Sequence, residues 1–394
     1  MVKDILNLED FVKEVKILLT KVNKLYIYGT GMYGQTVYKT LCKHGIKIEG
    51  FLETKKSKSF VLEHSVYNAS EIEKKESGII LGLNQHNAAE VVAYLNEIGF
   101  NMDHVIDGCV TRGGNRSGFN EKPAISLTTV IGCRVNCNYC PQNLLVTSYF
   151  KENKNRIREM SVDIFKQCLN KLPQECSILF CGMSEPFLNS NCIELLEIAA
   201  ESGRNIDLNT TLVGIDMETL RRVVELPIGF VTLHVADAYG YANIPLSEEY
   251  YEMVDFLINY RKANGDPFIN LCNAQATPDE RIQAICNNKY EILTTMHDRA
   301  GNLKDEKLLC SNHRFGSISC GLSGTKLNRN VLLPDGTLLL CDNDYGMKHV
   351  LGNLLLNDYE EIMNGEELQK IHEACERDDS DVLCRSCPFA NVRL

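Results

Sequence analysis

Hydrophobic and polar positions fall into two alternating rhythms along most of this chain. Between residues 24 and 110, short runs rich in β-branched and aromatic residues (KLYIY, IKIEGFLE, GIILGLN, MDHVID) alternate with segments whose apolar residues recur every three or four positions, GTGMYGQTVYKTLCKHG and AAEVVAYLNEIG. The first rhythm suits strands and the second helices, which predicts a small doubly wound α/β unit. An amphipathic helix precedes it, with Ile5, Leu8, Phe11, Val12, Val15, Leu18 and Leu19 in its apolar pattern. The polar, glycine-rich stretch GCVTRGGNRSGFNEKP at 108–123 reads as a linker.

Beyond the linker, strand and helix patterns alternate six times. The strands are AISLTTVIG, SILFCGM, NIDLNTT, GFVTLHVA, FINLCNAQ and YEILTTMH; between them lie VDIFKQCLNKL, CIELLEIAAESG, METLRRVVEL, the stretch 247–262 and DERIQAICNN. Near-continuous apolar strands are those of a parallel sheet covered on both faces. Six βα units imply a sheet curled into most of a barrel, with its chemistry at the carboxyl ends of the strands. From about 306 the pattern breaks into short strands and PDG turns, a third and smaller domain. The expected division is 1–115, 116–305 and 306–394.

Composition narrows the class. The formal net charge of −11 excludes a general nucleic-acid binder, which would carry a basic surplus on one face. No apolar run approaches the roughly 18 residues of a membrane span. The amino-terminal pattern carries acids inside an amphipathic helix, unlike a signal peptide, so a cytoplasmic protein is expected. In a reducing compartment the 17 cysteines are not disulfides. Ten are scattered singly, as small buried hydrophobes are; seven keep ligand-like spacings.

Cys133, Cys137 and Cys140 form Cys-x3-Cys-x2-Cys just after the first barrel strand. Thiolates so placed favour zinc or an iron–sulfur cluster. A structural zinc would need a fourth ligand from elsewhere in the chain. Three cysteines on a four-iron, four-sulfur cluster would leave one iron open. Incidental core thiols are the remaining alternative. With Tyr139 before the last cysteine, this loop resembles that of the radical S-adenosylmethionine enzymes, over about 124–305. The resemblance implies that the open iron binds the amino and carboxylate groups of S-adenosylmethionine, whose reductive cleavage yields a hydrogen-abstracting 5'-deoxyadenosyl radical.

Other segments match that family in order. Gly182-Met183-Ser184-Glu185-Pro186 resembles its Gly-Gly-Glu-Pro segment, which holds the cofactor's amino group; Ser184 replaces the second glycine. Asn209, at the end of the third strand, matches a cofactor-facing position, with strand capping as the alternative. His234 ends the fourth strand, where the family often has a polar contact. Arg299, in HDRAGN after the sixth, matches a position that contacts cofactor or substrate. A buried, satisfied histidine and a structural ion pair are the respective rivals.

In the tail, Cys320, fifteen residues, Gly336, four residues and Cys341 repeat a spacing of the SPASM domain. Cys384-x2-Cys387 follows, and there are ligands for one cluster only. The resemblance is therefore to the shortened, twitch form, with one auxiliary four-iron cluster on Cys320, Cys341, Cys384 and Cys387. Four protein ligands leave it no place for S-adenosylmethionine, so electron transfer or substrate placement is its expected role. A zinc knuckle is the alternative, and Cys310 is a spare thiol.

Gly29-x-Gly31-x2-Gly34 between strand and helix, with Glu53 ending the second strand, meets the requirements of a nucleotide-binding turn in a Rossmann-like domain. The unit also looks similar to the small domain at the start of sugar acetyltransferases. A purely structural unit is the alternative. The whole is expected to be an α/β protein: a partial (βα)6 TIM-like barrel with a Rossmann-like front domain and a SPASM-like tail. Its expected activity is radical oxidation (dehydrogenation) or epimerisation of a carbohydrate or nucleotide sugar, with a flavodoxin or ferredoxin as electron donor. Arg299 or His234 would sit by the alcohol, and a thiol such as Cys181 or Cys272 would return a hydrogen atom. The alternatives are a peptide- or protein-modifying maturase of the same superfamily and a non-enzymatic iron–sulfur protein.

Overall fold

The computed structural model describes residues 8–56, 59–83, 85–108, 122–152, 156–287, 290–292, 297–303 and 313–392, and divides the chain into two units, Met1–Glu121 and Lys122–Leu394. Ile5, Cys109, Cys310 and the linker residues 109–121 lie outside the described residues.

The first unit is built on period-two alternation. Strands β1 (Lys24–Tyr28), β2 (Gly50–Glu53), β3 (Phe60–Val61), β4 (His64–Asn68), β5 (Ser77–Leu81) and β6 (Val105–Asp107) form a sheet in the order β3-β4-β2-β1-β5-β6. All neighbours are parallel except β3 and β4. Leu25 and Ile27 of β1 share a core with Phe11, Val15 and Leu18 of helix α1 (Leu8–Leu18) and Val37 and Leu41 of α2 (Met32–Lys43). Tyr26 and Tyr28 point the other way, into a second core with Ala88 and Leu95 of α3 (Gln85–Glu97). Each face of the sheet thus has its own helical cover. The hairpin β3–β4 is not legible in sequence: Val66 is the one buried residue of HSVYN, too little for a strand pattern.

The second unit carries six parallel strands, β7 (Ala124–Leu127), β8 (Ser177–Phe180), β9 (Ile206–Thr210), β10 (Phe230–His234), β11 (Leu271–Ala274) and β12 (Glu291–Ile292), each paired with its chain neighbour. After β7 come the cysteine loop and α4 (Gln142–Glu152); α5 (Val162–Lys171), α6 (Cys192–Glu201), α7 (Met217–Val223), α8 (Glu248–Asn259) and α9 (Glu280–Ile285) then alternate with the strands, each packed on the next. Parallel strands in sequential order, joined through helices, are the topology of the expected partial barrel.

The tail adds β13 (Ile318–Cys320), β14 (Arg329–Leu332), β15 (Thr337–Leu339), β16 (Val350–Asn353), α10 (Tyr359–Met363), α11 (Glu366–Glu376) and β17 (Ala390–Val392). Strand β14 pairs in parallel with β7, Val331 opposite Ser126, and the meander β14-β15-β16 extends the barrel sheet to nine strands. The core is continuous as well: Ile125 and Leu127 belong to the same cluster as Leu338, Leu340, Leu351 and Leu368. Strands β14, β15 and β16 of the tail therefore share sheet and core with the barrel.

Candidate active site

Register decides which side chains face away from the helices. Ser126 lies opposite Leu179, Leu179 opposite Asp207, Asn209 opposite Thr232, and His234 opposite Asn273. Because alternation is fixed at two, these residues, with Arg329 and Val331 of β14, occupy one face. Ala124, Leu179, Phe230, Leu271 and Val331 are its apolar members, and Ser126, Asp207, Asn209, Thr232, His234, Asn273 and Arg329 its polar ones. Cys181 belongs to it too, its Sγ 3.7 Å from the Ser126 hydroxyl. Cys272 does not: it faces Cys286 of the helical layer, Sγ to Sγ 3.9 Å.

At the carboxyl end of β7, Cys133, Cys137 and Cys140 come together. Burial raises the Cys133 thiol and pushes Cys137 up to about 11, and in both the field of neighbouring Cys140 adds to the rise. Mutual opposition of this kind shows thiols close enough to repel as thiolates. The sulfurs also receive N–H donors: the backbone N–H of Glu185 to Cys133 at 3.4 Å and Gln142 Nε2 to Cys140 at 3.3 Å. The Tyr345 hydroxyl lies 3.4 Å from Cys140 Sγ. N–H groups aimed at sulfur stabilise thiolate, so the donor set fits an iron–sulfur cluster.

Next to this loop, at the end of β8, Gly182 takes φ +37°, and a Cβ there would lie 2.5 Å from Thr128 Oγ1. The turn it permits lets the Met183 N–H donate to Thr128 Oγ1 at 3.0 Å, while Gln142 Nε2 donates to the Met183 carbonyl. The buried Ser184 hydroxyl has no partner in the protein, a polar atom that a bound amino acid group would satisfy. The Glu185 carboxylate is occupied: it accepts from Thr210 Oγ1 at 2.8 Å and from the Thr211 N–H and Oγ1, both at 2.6 Å. Burial raises its pKa, against which these donors work. The side chain ties β8 to β9, leaving the backbone of 182–185 to face the cysteine loop.

Arg299 sits in a left-handed turn, φ +53°, with its guanidinium 5.9 Å from the Tyr139 ring centre. Desolvation opposes its charge, and the fields of Tyr345, Cys140, Tyr139 and Asp342 outweigh that penalty and raise its pKa. Asn302 of the same turn donates to the Asn343 carbonyl at 2.7 Å, linking it to the tail. Desolvation lowers the His234 pKa, Arg299 acts in the same direction, and Asn273 beside the ring acts against both. Burial pushes Cys181 up to about 12, so it stays a thiol.

The four tail cysteines also form one group. Burial raises Cys341, helped by Cys387 and Cys320; a hydrogen bond with Cys375 and burial raise Cys384, helped by Cys341 and Cys387; burial pushes Cys387 up to about 11. The Leu322 N–H points to Cys320 Sγ at 3.4 Å and Asn343 Nδ2 to Cys387 Sγ at 3.7 Å. Among the described residues no three His, Cys, Asp or Glu lie close enough to share one ion, whereas cluster thiolates each bond a different iron.

Sequence reasoning missed Gln142, Tyr345, Asn343 and Asp342. Asp342 follows Cys341 directly and accepts from Ser126 Oγ at 3.1 Å, placing a carboxylate, raised in pKa by burial, on the Ser126 face. Adjacency to Cys341 was the available signal. Gly29, Gly31, Gly34 and Glu53 belong to the first unit, where Gly29, Gly31 and Glu53 line a pocket and Gly34 does not.

Residues 320–388 match the family model of SPASM, an iron–sulfur cluster-binding domain. Among solved structures, the chain is similar to BtrN in complex with AdoMet and 2-DOIA (16% identity, 68% of this chain and 93% of that one, TM-score 0.43). It is also similar to anSMEcpe with bound AdoMet (15%, 65% and 84%, 0.40) and to Streptococcus suis SuiB bound to precursor peptide SuiA (12%, 90% and 83%, 0.40). No curated protein matches the chain. Among the described residues no helix is long and apolar enough to cross a membrane.

Proposed function

We propose that this chain, whose tail is a SPASM iron–sulfur domain, is a radical S-adenosylmethionine enzyme that oxidises or epimerises a carbohydrate or nucleotide sugar. The observation that carries the reading is the grouping of Cys133, Cys137 and Cys140 beside the turn at Gly182, with sulfur-directed N–H donors on Cys133 and Cys140. A four-iron cluster on these thiols, together with S-adenosylmethionine, supplies a radical able to take hydrogen from an unactivated carbon. The backbone of 182–185 and the Ser184 hydroxyl would orient the cofactor's amino group, and Asn209 and Tyr139 would face it. A second four-iron cluster would occupy Cys320, Cys341, Cys384 and Cys387.

The polar members of the barrel face support a polyhydroxylated substrate, since Ser126, Asn209, Thr232 and Asn273 offer donors and acceptors suited to hydroxyl groups. A His234 ring held neutral can accept a proton from an alcohol, and Arg299 can hold the oxygen. Cys181, held as S–H, is in the form that returns a hydrogen atom in epimerisation; Cys272, turned to the helical layer, has no such access. A flavodoxin or ferredoxin would supply the initiating electron. The test is anaerobic reconstitution with iron and sulfide, then S-adenosylmethionine and dithionite. Release of 5'-deoxyadenosine is expected, with deuterium carried into it from a labelled nucleotide sugar. A cluster spectrum unmoved by S-adenosylmethionine, or zinc in place of iron, would overturn the reading.

A further inference from the structure

The first unit holds a pocket that this chemistry leaves unused. Its sheet reverses winding at β1, with β2 and β4 to one side and β5 and β6 to the other, and ligands of such sheets bind beyond the carboxyl ends of the strands at that reversal. A cavity of about 620 Å³ opens there, lined by Tyr28, Gly29, Thr30, Gly31, Glu53 and Gly82 among others.

The three glycines of the turn have separate physical jobs. Gly29 has φ +105°, and its Cβ would meet Gly82 O at 2.6 Å, so it makes the bend. A Cβ on Gly34 would lie 1.8 Å from Gly29 O; its absence lets α2 sit against the strand end. Gly31 is different, because a Cβ there would meet nothing within 4 Å and its φ of −77° suits any residue. Neither packing nor backbone conformation requires glycine at 31. Open space above a bare backbone is what an incoming phosphate needs. Gly31 is also the N-cap of α2 and supplies no side-chain cap, and the first turn contains no acid. The positive end of the α2 dipole thus lies at the cavity that Gly31 and Tyr33 line, with no acidic side chain of the first turn to offset it. On the far wall, Glu53 ends β2 and accepts from Thr30 Oγ1 at 2.5 Å, which fixes its carboxylate beside the glycine turn. A carboxylate has about four lone-pair positions, enough to take ribose hydroxyls as well.

We propose that this pocket binds a nucleoside diphosphate group whose ribose has a free 2'-hydroxyl, with the phosphates over Gly31 and the ribose on Glu53. The negative charge of Glu53 rejects a 2'-phosphate, and its acceptor character discriminates against 2'-deoxyribose. A nucleotide sugar and a dinucleotide share this chemistry. The assignment stands on the first unit alone and is independent of the radical reading.

Calorimetry on the full-length protein tests it with ADP, GDP, UDP and CDP, with UDP-glucose and NAD as the two source arms, and with NADP and the 2'-deoxy diphosphates as controls. At least one ribonucleoside diphosphate is expected to bind at one site. Its 2'-deoxy counterpart should bind about tenfold or more weaker, the factor for losing a hydrogen bond to a charged acceptor. Gly31→Val should abolish binding while the protein still melts cooperatively, because its side chain enters open space and costs only a poorer helix cap, and Glu53→Gln should weaken binding and narrow the 2'-hydroxyl preference. Failure of all four ribonucleoside diphosphates to bind, equal affinity for the deoxy forms, or wild-type binding by Gly31→Val would overturn the proposal. None of these results bears on S-adenosylmethionine cleavage.

Discussion

At the scale of single residues, the two thiol groups are expected to separate by function. Cys140→Ala should lower the iron content of reconstituted protein by about half and abolish 5'-deoxyadenosine release. Cys384→Ala should lower iron similarly yet leave that release intact in the absence of substrate; iron assay and chromatography of the nucleoside check both. His234 gives a pH dependence. The unfolded chain protonates this ring near its ordinary 6.5, while the folded chain does so only at lower pH. The unfolded state then binds more protons, so stability falls as pH drops below 6.5. Comparing urea midpoints at about pH 7 and pH 5.5 should reveal a loss that His234→Gln diminishes. The two cysteine groups were legible because most of their spacing is local. Asp342 and Tyr345 were not, since each acquires its place by meeting a partner over 200 residues away, Ser126 and Cys140 respectively.

At the scale of elements, the turn after β8 depends on Gly182 in a way its neighbours do not share. A Cβ there would collide with Thr128 Oγ1 and Leu127 O at 2.5 and 2.6 Å, in a positive-φ conformation that side chains resist. Gly182→Ala should cost about 1–3 kcal/mol of stability. It should also weaken S-adenosylmethionine binding more than Ser184→Gly does, as measured by thermal melts and equilibrium dialysis. The βα alternation of both units was readable because short, near-continuous apolar runs give way at each boundary to longer segments whose apolar residues recur at about 3.6. The hairpin β3–β4 escaped because its two strands bury one side chain each, Val61 and Val66, which makes no period.

At the scale of the whole molecule, β14 alters what can be cut. A fragment ending at residue 305 would leave β7 with an unpaired edge carrying buried Ile125 and Leu127, and would uncover the core that Leu338 and Leu340 help to close. It should aggregate on size-exclusion chromatography, whereas residues 122–394 should stay monodisperse and take up the full iron complement. This sharing of a sheet could not be read from the chain, since a parallel pair formed by strands some 200 residues apart leaves no local trace. It also acts as a ruler. The strand leading to the first thiol group is stitched by backbone hydrogen bonds to the meander that carries Cys341, so one sheet sets the spacing of the two thiol groups. Were clusters seated on both, an electron crossing between them would meet a tunnelling length set by that sheet, leaving its rate to their potentials.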